Sequence, residues 1–369
     1  MFELLLSLFL IAVEICVIHS VPRVSIRRKE YFIFFFLQFF ILAGFRGLEI
    51  HPDTPTYDWH FSEVSSEGPF WDVEKNVFNY GYLYIEKFIH NVISSSVLGF
   101  NLATSFLVCL CTLLLFYKKS AHMGMAIYLY YASGEFFNQI GVLRQSFAVL
   151  LGYYIICLIS EKKYFYSFLL TLFAMSIHSS AVLLFLLLLF EKYSPGIKTK
   201  KFILIIVVGI IYLIAPIIES ITVLLEYESE YFTSHGADRG FATLNGFFNG
   251  SIGLMGCWAT IKMMKNAENR GYVQSDLNKN VLYIYLLISL LTLRLPIMTR
   301  FLMFLNPLLF VIISNLCFVS KKNYRFAIFA LIVFASNIVL KQALRPGWIG
   351  IFPYYFYSDD QLNILAPPG

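Results

Sequence analysis

The sequence predicts an all-α integral membrane protein, a polytopic bundle of about 10–12 transmembrane helices. Three observations carry that prediction. Of 369 residues, 58% are hydrophobic and 14% charged, against about 25% charged in a typical soluble domain. The mean hydropathy is +0.69, more apolar surface than a soluble core can hide. The basic residues gather in short clusters between long apolar runs, the pattern that sets orientation in a bilayer. One membrane domain, residues 1–369, is the natural unit.

The net charge of +5 does not describe a nucleic-acid binder, because no single basic surface is formed. The six cysteines, Cys16, Cys109, Cys111, Cys157, Cys257 and Cys317, lie in or beside apolar runs without metal-ligand spacing to histidine. They read as small membrane-facing residues.

Taken in order, spans are expected at roughly 2–20, 31–48, 97–117, 123–140, 145–160, 202–225, 246–264, 280–297, 301–319 and 326–343. The first run lacks a preceding basic cluster and reads as a spanning helix, not a cleaved signal peptide. The stretch 165–190 is different. It is long for one span, carries His178, Ser179 and Ser180 at its centre, and has lysine clusters on both sides. If both clusters are cytoplasmic, the chain crosses an even number of times between them, as a pair of short or re-entrant helices with His178 near the tip. Such breaks are tolerated where they are buried in protein or line a wet cavity. The alternative is one tilted helix that violates the charge rule.

With the hairpin, 19 of the 28 basic residues fall inside and 18 of the 23 acidic residues fall outside or in spans. Both termini are then outside. So are a loop of about fifty residues after the second span (46–96), a second loop at 226–245 and a tail at 344–369.

The candidate chemistry collects on that outer face. The string from Phe45 to Tyr57 offers Arg46, Glu49, His51 and Asp53, stiffened by Pro52 and Pro55; the bland alternative is a solvated interfacial loop. Arg144 stands at the outer end of an apolar pair of spans, where burying it calls for an anionic partner, or else it snorkels to the interface. His178 is a candidate proton-transfer group at a wet hairpin tip, or else a packed, hydrogen-bonded histidine. Arg239, Arg294 and Arg300 add cations at the same boundary. Tyr57, Tyr82 and Tyr354 are candidates for stacking on sugar rings, with an interfacial aromatic belt as the alternative for the tail.

Arginine suits phosphate because its planar fork donates two parallel hydrogen bonds and stays charged. A lipid diphosphate is the obvious anion at that depth. No phosphate loop, zinc motif or nucleophile elbow is present, so cytosolic nucleotide chemistry and serine hydrolysis are not expected, nor is a cofactor or metal.

At these residues the chain resembles the EpsG-like group of Wzy-type polysaccharide polymerases, over most of its length. The matching pieces are the Arg46–Tyr57 string, Asn79-Tyr80-Gly81-Tyr82, Leu143-Arg144-Gln145-Ser146-Phe147-Ala148, Ile177-His178-Ser179-Ser180-Ala181, Thr299-Arg300-Phe301 and Pro353-Tyr354. It departs from the family pattern with His51-Pro52 before the aspartate and with Asn79 in place of a glutamate.

The resemblance implies an O-antigen polymerase of the bacterial inner membrane, its active site facing the periplasm. A growing glycan on undecaprenyl diphosphate would pass to the next lipid-linked repeat unit. Arg144 and Arg300 would then hold the diphosphates, with Arg46, Arg294 and Arg239 in support, and His178 or Asp53 would act as base, His178 preferred. The implied partners are the undecaprenyl-diphosphate-linked oligosaccharide, membrane lipid and a chain-length regulator protein. A lipid-linked oligosaccharide flippase, expected to hold its charges near the midplane, and a glycan ligase, which differs in acceptor, are the rival readings.

Overall fold

In the computed structural model the chain is described over residues 2–47, 50–64, 79–193, 195–196, 198–200, 202–207, 209, 212 and 236–344, with side chains not placed at Phe2, 236–243 and 341–344. It is 85% helical, with no strand among the described residues. Four helices there are long and apolar enough to cross a membrane: Val97–Lys119, Leu143–Ser160, Pro296–Leu316 and Lys321–Leu340. The molecule is therefore an all-α membrane protein.

The chain divides into two compact units, Met1–Phe185 with Ile338–Gly369, and Leu186–Asn337. The first begins with α1 (Phe2–His19) and α2 (Val24–Gly44). α2 starts seven residues before the expected span, taking in Arg27, Arg28 and Lys29. A helix can extend into the interfacial layer because long basic side chains keep their charged ends in water. α2 lies along α5 (Val97–Lys119), which is capped by the Ser96 hydroxyl accepting from the Gly99 N–H.

The region expected to be a long loop contains two helices, α3 (Thr54–Ser62) and α4 (Tyr80–Phe88), the latter running into a π-helical turn, Ile89–Ile93. Neither is long enough to span, so both are seated by packing.

The expected span 123–140 is broken. Gly134 sits at φ +81°, open to glycine at little cost, and splits the run into α6 (Met123–Ala132) and α7 (Glu135–Gly141). The chain bends again at Val142 into α8 (Leu143–Ser160). A polar knot fills the interior around these bends. Gln139 Oε1 accepts from Tyr130 (2.9 Å) and Thr112 (3.1 Å), Gln139 Nε2 donates to the Tyr153 hydroxyl (2.8 Å), and Ser146 donates to the Gln139 carbonyl (2.6 Å). Buried amides and hydroxyls are costly unless paired, and this knot pairs them.

The stretch 165–190 breaks at His178. α9 (Tyr164–Ile177) ends there, a 3₁₀ turn (Ser179–Val182) follows, and α10 (Leu183–Tyr193) leaves. The Phe168 and Phe185 rings are 5.2 Å apart. In one straight helix those positions would be separated by about 25 Å. The chain doubles back, as the paired charge clusters predict, and the single tilted helix is ruled out.

The second unit is built on α11 (Gly236–Glu268), α12 (Asp276–Thr292), α13 (Thr299–Leu316) and α14 (Lys321–Leu344), the last continuing into the first unit. α11 is helical from Gly236, where a loop to 245 was expected. Further along, its glycines set the contact with α12. A Cβ at Gly250 would meet the Ser289 carbonyl oxygen at 2.8 Å, and one at Gly253 the Ser289 hydroxyl at 2.4 Å. Together with Gly246 against Pro296, they form a flat strip that lets two backbones touch. Asn323 closes the unit, its Nδ2 donating to the Met263 and Leu316 carbonyls at 3.1 and 2.9 Å.

Candidate active site

The site is assembled from the Arg46–Tyr57 string outward. α3 opens with proline in its first turn, where a fixed φ and a missing N–H cost nothing. Thr54, Tyr57, Asp58 and Phe61 then fall on one face and are buried. That face is nailed to α5: Phe61 stacks on Phe100 at 4.2 Å between centroids, and Asn101 Nδ2 donates to Asp58 at 3.2 Å. Beneath it lies Arg46, fully buried, with Nη1 donating to the Ala43 carbonyl (2.8 Å) and the Ser105 hydroxyl (3.0 Å). Burial pushes the Asp58 carboxyl up to about 6, against the opposing pull of the Arg46 guanidinium and the Asn101 amide. Arg46 is thus an internal anchor for α3.

α4 is set by Gly81. A Cβ there would stand 2.7 Å from the backbone carbon and oxygen of Ser176, so only glycine lets α4 sit on the last turn of α9, two residues before His178. On the other side, a Cβ at Gly141 would meet the His51 ring at 2.2 Å. The His51-Pro52 turn therefore seats on the end of α7, three residues before Arg144. Its imidazole Nδ1 accepts the Asp53 N–H at 3.2 Å, which holds Asp53 at the head of α3.

These contacts bring four of the sequence-predicted residues into one cluster around α3, α4 and the α7–α8 bend. Arg144 Nε donates to the Tyr57 hydroxyl at 3.4 Å, with the guanidinium 6.0 Å from the ring centre. Tyr57 meets Tyr82 edge-on at 5.7 Å, and Tyr82 meets Phe147 at 6.3 Å. Tyr57 and Tyr82 are buried, 2% and 0% exposed, and it is the Tyr57 ring that backs Arg144. His178 lies on the turn adjoining α4. It is 7% exposed, and its Nδ1 accepts the Ser180 N–H (3.2 Å) and faces the Ser180 hydroxyl (2.6 Å). A backbone N–H can only donate, so in the neutral ring the proton sits on Nε2.

Two residues not foreseen complete the cluster. His60 on α3 and Glu86 on α4 meet at 2.8 Å, Nδ1 to Oε2, and the Tyr82 hydroxyl approaches the same carboxylate. Burial pushes the Glu86 carboxyl up, and His60 and Tyr82 oppose that shift. Their separation of twenty-six positions, across a segment read as loop, hid the pair; the helical spacing of apolar residues in each segment was the signal to follow.

In the second unit, Arg294 follows the end of α12 and Arg300 is the second residue of α13, both half-buried. The Arg239 side chain and Tyr354 lie outside the described residues. Among the described residues no group of three or more histidines, cysteines or acids is placed to hold a metal.

A half-buried arginine held against the Tyr57 ring, at the bend between two helices, is set within an all-α membrane protein. The chain belongs to the EpsG family, whose model matches residues 29–356. This family includes Wzy-type polymerase-like proteins, and membership places the chain among membrane proteins of polysaccharide biosynthesis with a glycosyltransferase-like role. No curated protein and no solved structure matches the chain significantly.

Proposed function

We propose that the protein is a surface-polysaccharide polymerase of O-antigen type in the bacterial inner membrane, with its active site facing the periplasm. The growing glycan is carried on undecaprenyl diphosphate. In the reaction, a hydroxyl oxygen of the next lipid-linked repeat unit bonds to the anomeric carbon of the growing chain. The bond from that carbon to the diphosphate oxygen breaks, the diphosphate leaves with the electron pair, and the hydroxyl proton passes to a base.

The observation that carries this reading is Arg144, held half-buried on Tyr57 where four of the family's short motifs meet. A guanidinium there stabilises charge as it develops on the leaving diphosphate, and such preorganised donors are worth about 2.7–4 kcal/mol each. Arg300 takes the second diphosphate, Arg294 and Arg239 add positive potential, and Arg46 supports from behind. His178, with its proton on Nε2, is suited to donate a hydrogen bond to substrate oxygen. No nucleotide is required, since the diphosphate activates the donor. A separate chain-length regulator fits the same reading.

The test is deletion of the gene in its native strain, with surface polysaccharide resolved on a gel. Collapse of the ladder to core plus a single repeat unit, restored by wild type and not by Arg144→Ala, supports polymerase function. Loss of even the single unit points to flipping or ligation instead.

A further inference from the structure

Two amides meet in the second unit, near the N-terminal end of α11. Asn249 Nδ2 donates to the Asn245 carbonyl and to Asn245 Oδ1, both at 2.8 Å. A backbone carbonyl only accepts, which fixes the amide nitrogen of Asn249 toward Asn245 and, in turn, the amide oxygen of Asn245 toward Asn249. The groups left over are a carbonyl oxygen on Asn249 and an NH2 on Asn245, neither of which has a partner among the described residues. Both side chains are half-buried.

Helical spacing puts the pair on an inner face. Asn245, Asn249, Ile252 and Gly256 follow one another at intervals of three and four along α11. Ile252 is buried, and a Cβ at Gly256 would meet the Phe334 ring at 2.6 Å. The exposed apolar residues, Leu244, Phe247, Met255 and Trp258, lie on the opposite side. The adjoining face of α11 sits on the turn between α12 and α13, where a Cβ at Gly246 would stand 2.9 Å from the Pro296 Cα. That turn is closed by the Leu295 N–H donating to the Leu291 carbonyl (2.8 Å) and by the Thr299 hydroxyl donating to the Pro296 carbonyl (2.7 Å). It is flanked by Arg294 and Arg300. An inward donor–acceptor pair of amides therefore stands beside a fixed turn bordered by two arginines.

Resting on the polymerase reading, we propose that Asn249 and Asn245 form the subsite for the sugar next to the diphosphate of the lipid-linked substrate held by Arg300. A sugar hydroxyl or acetamido N–H donates to Asn249 Oδ1, and a sugar oxygen accepts from Asn245 Nδ2. An ionised diphosphate only accepts, so it has nothing to offer Asn249 Oδ1, and a lipid tail has nothing to offer either amide. The neutral pair thus reads the sugar while the arginines hold the charge. A site built to pair a hydroxyl rejects a ligand that lacks it, because the protein's own polar group is then left unmet.

The experiment measures binding to the full chain in lipid nanodiscs, in an Arg144→Ala background so that the second unit is the site titrated. Two ligands are compared: the lipid-linked repeat unit extracted from the deletion strain, and undecaprenyl diphosphate without sugar. To this parent are added Asn249→Ala, Asn249→Leu, Asn245→Ala or Arg300→Ala; two substitutions at Asn249 guard against one that fails to insert. The parent is expected to bind the repeat unit more tightly than the bare diphosphate lipid. Each asparagine variant is expected to weaken repeat-unit binding about tenfold, the effect of losing one or two neutral hydrogen bonds, and to leave the bare lipid within about twofold. Arg300→Ala is expected to weaken both ligands. Asparagine variants that bind the repeat unit like the parent overturn the proposal. So does an equal loss for both ligands, which marks the pair as an internal clip of α11. If the parent and the protein with Arg144 intact bind neither ligand, the polymerase reading fails first, a result distinct from these.

Discussion

The side chains under the site are held by opposed costs, and Asp58 shows it most clearly. Its carboxyl rises from 3.8 to about 6 because burial outweighs the attraction of Arg46 and Asn101. The folded protein therefore binds a proton that the unfolded chain releases between those values, and stability falls as pH rises through that window. The change corresponds to about 3 kcal/mol. Asp58→Asn, neutral and of the same shape, is expected to match or exceed wild-type stability at pH 7 and to flatten the profile between pH 4 and 6. Thermal unfolding in detergent at several pH values checks this; an Asn variant that melts well below wild type at pH 7 contradicts it. Arg144→Lys keeps the charge but loses the planar fork that donates to Tyr57, so polymer yield in complemented cells is expected to fall between wild type and Arg144→Ala.

At the scale of elements, glycines decide where helices touch. Gly81→Ala places a methyl group 2.7 Å from Ser176 backbone atoms, which cannot rotate away. Overpacking of that kind costs about 1–3 kcal/mol and should displace α4 with Tyr82 and Glu86, visible as a lower melting temperature together with loss of polymer. The mirror case is Gly253→Leu on α11, which should disrupt the α11–α12 contact and lower stability. The break at His178 was legible because a polar triplet interrupts an apolar run between two lysine clusters, and both the charge rule and backbone satisfaction then demand a reversal. The break at Gly134 was not legible: the run 123–140 was long enough to read as one span, and an isolated glycine does not reveal a positive φ. Helices α3 and α4 escaped the sequence because they are short, and burial against α5 and α9 gives them their stability rather than intrinsic propensity.

For the whole molecule, composition and charge clusters were enough to predict an all-α membrane protein, since a bilayer admits few backbone arrangements. Arg144 was legible as a cation at the end of a span, and Tyr57 and Tyr82 as outer-loop tyrosines, though not their packing against each other. The His60–Glu86 pair was not, because it exists only once two short helices have docked. The central claim is that this chain alone polymerises a lipid-diphosphate-linked repeat unit, and reconstitution tests it most directly. The protein, purified in lipid nanodiscs, is given lipid-linked repeat unit extracted from the deletion strain, without nucleotide sugars or added metal. A ladder of increasing glycan length on released lipid diphosphate is the predicted result. A substrate that stays a single unit while wild-type membranes convert it would contradict the account.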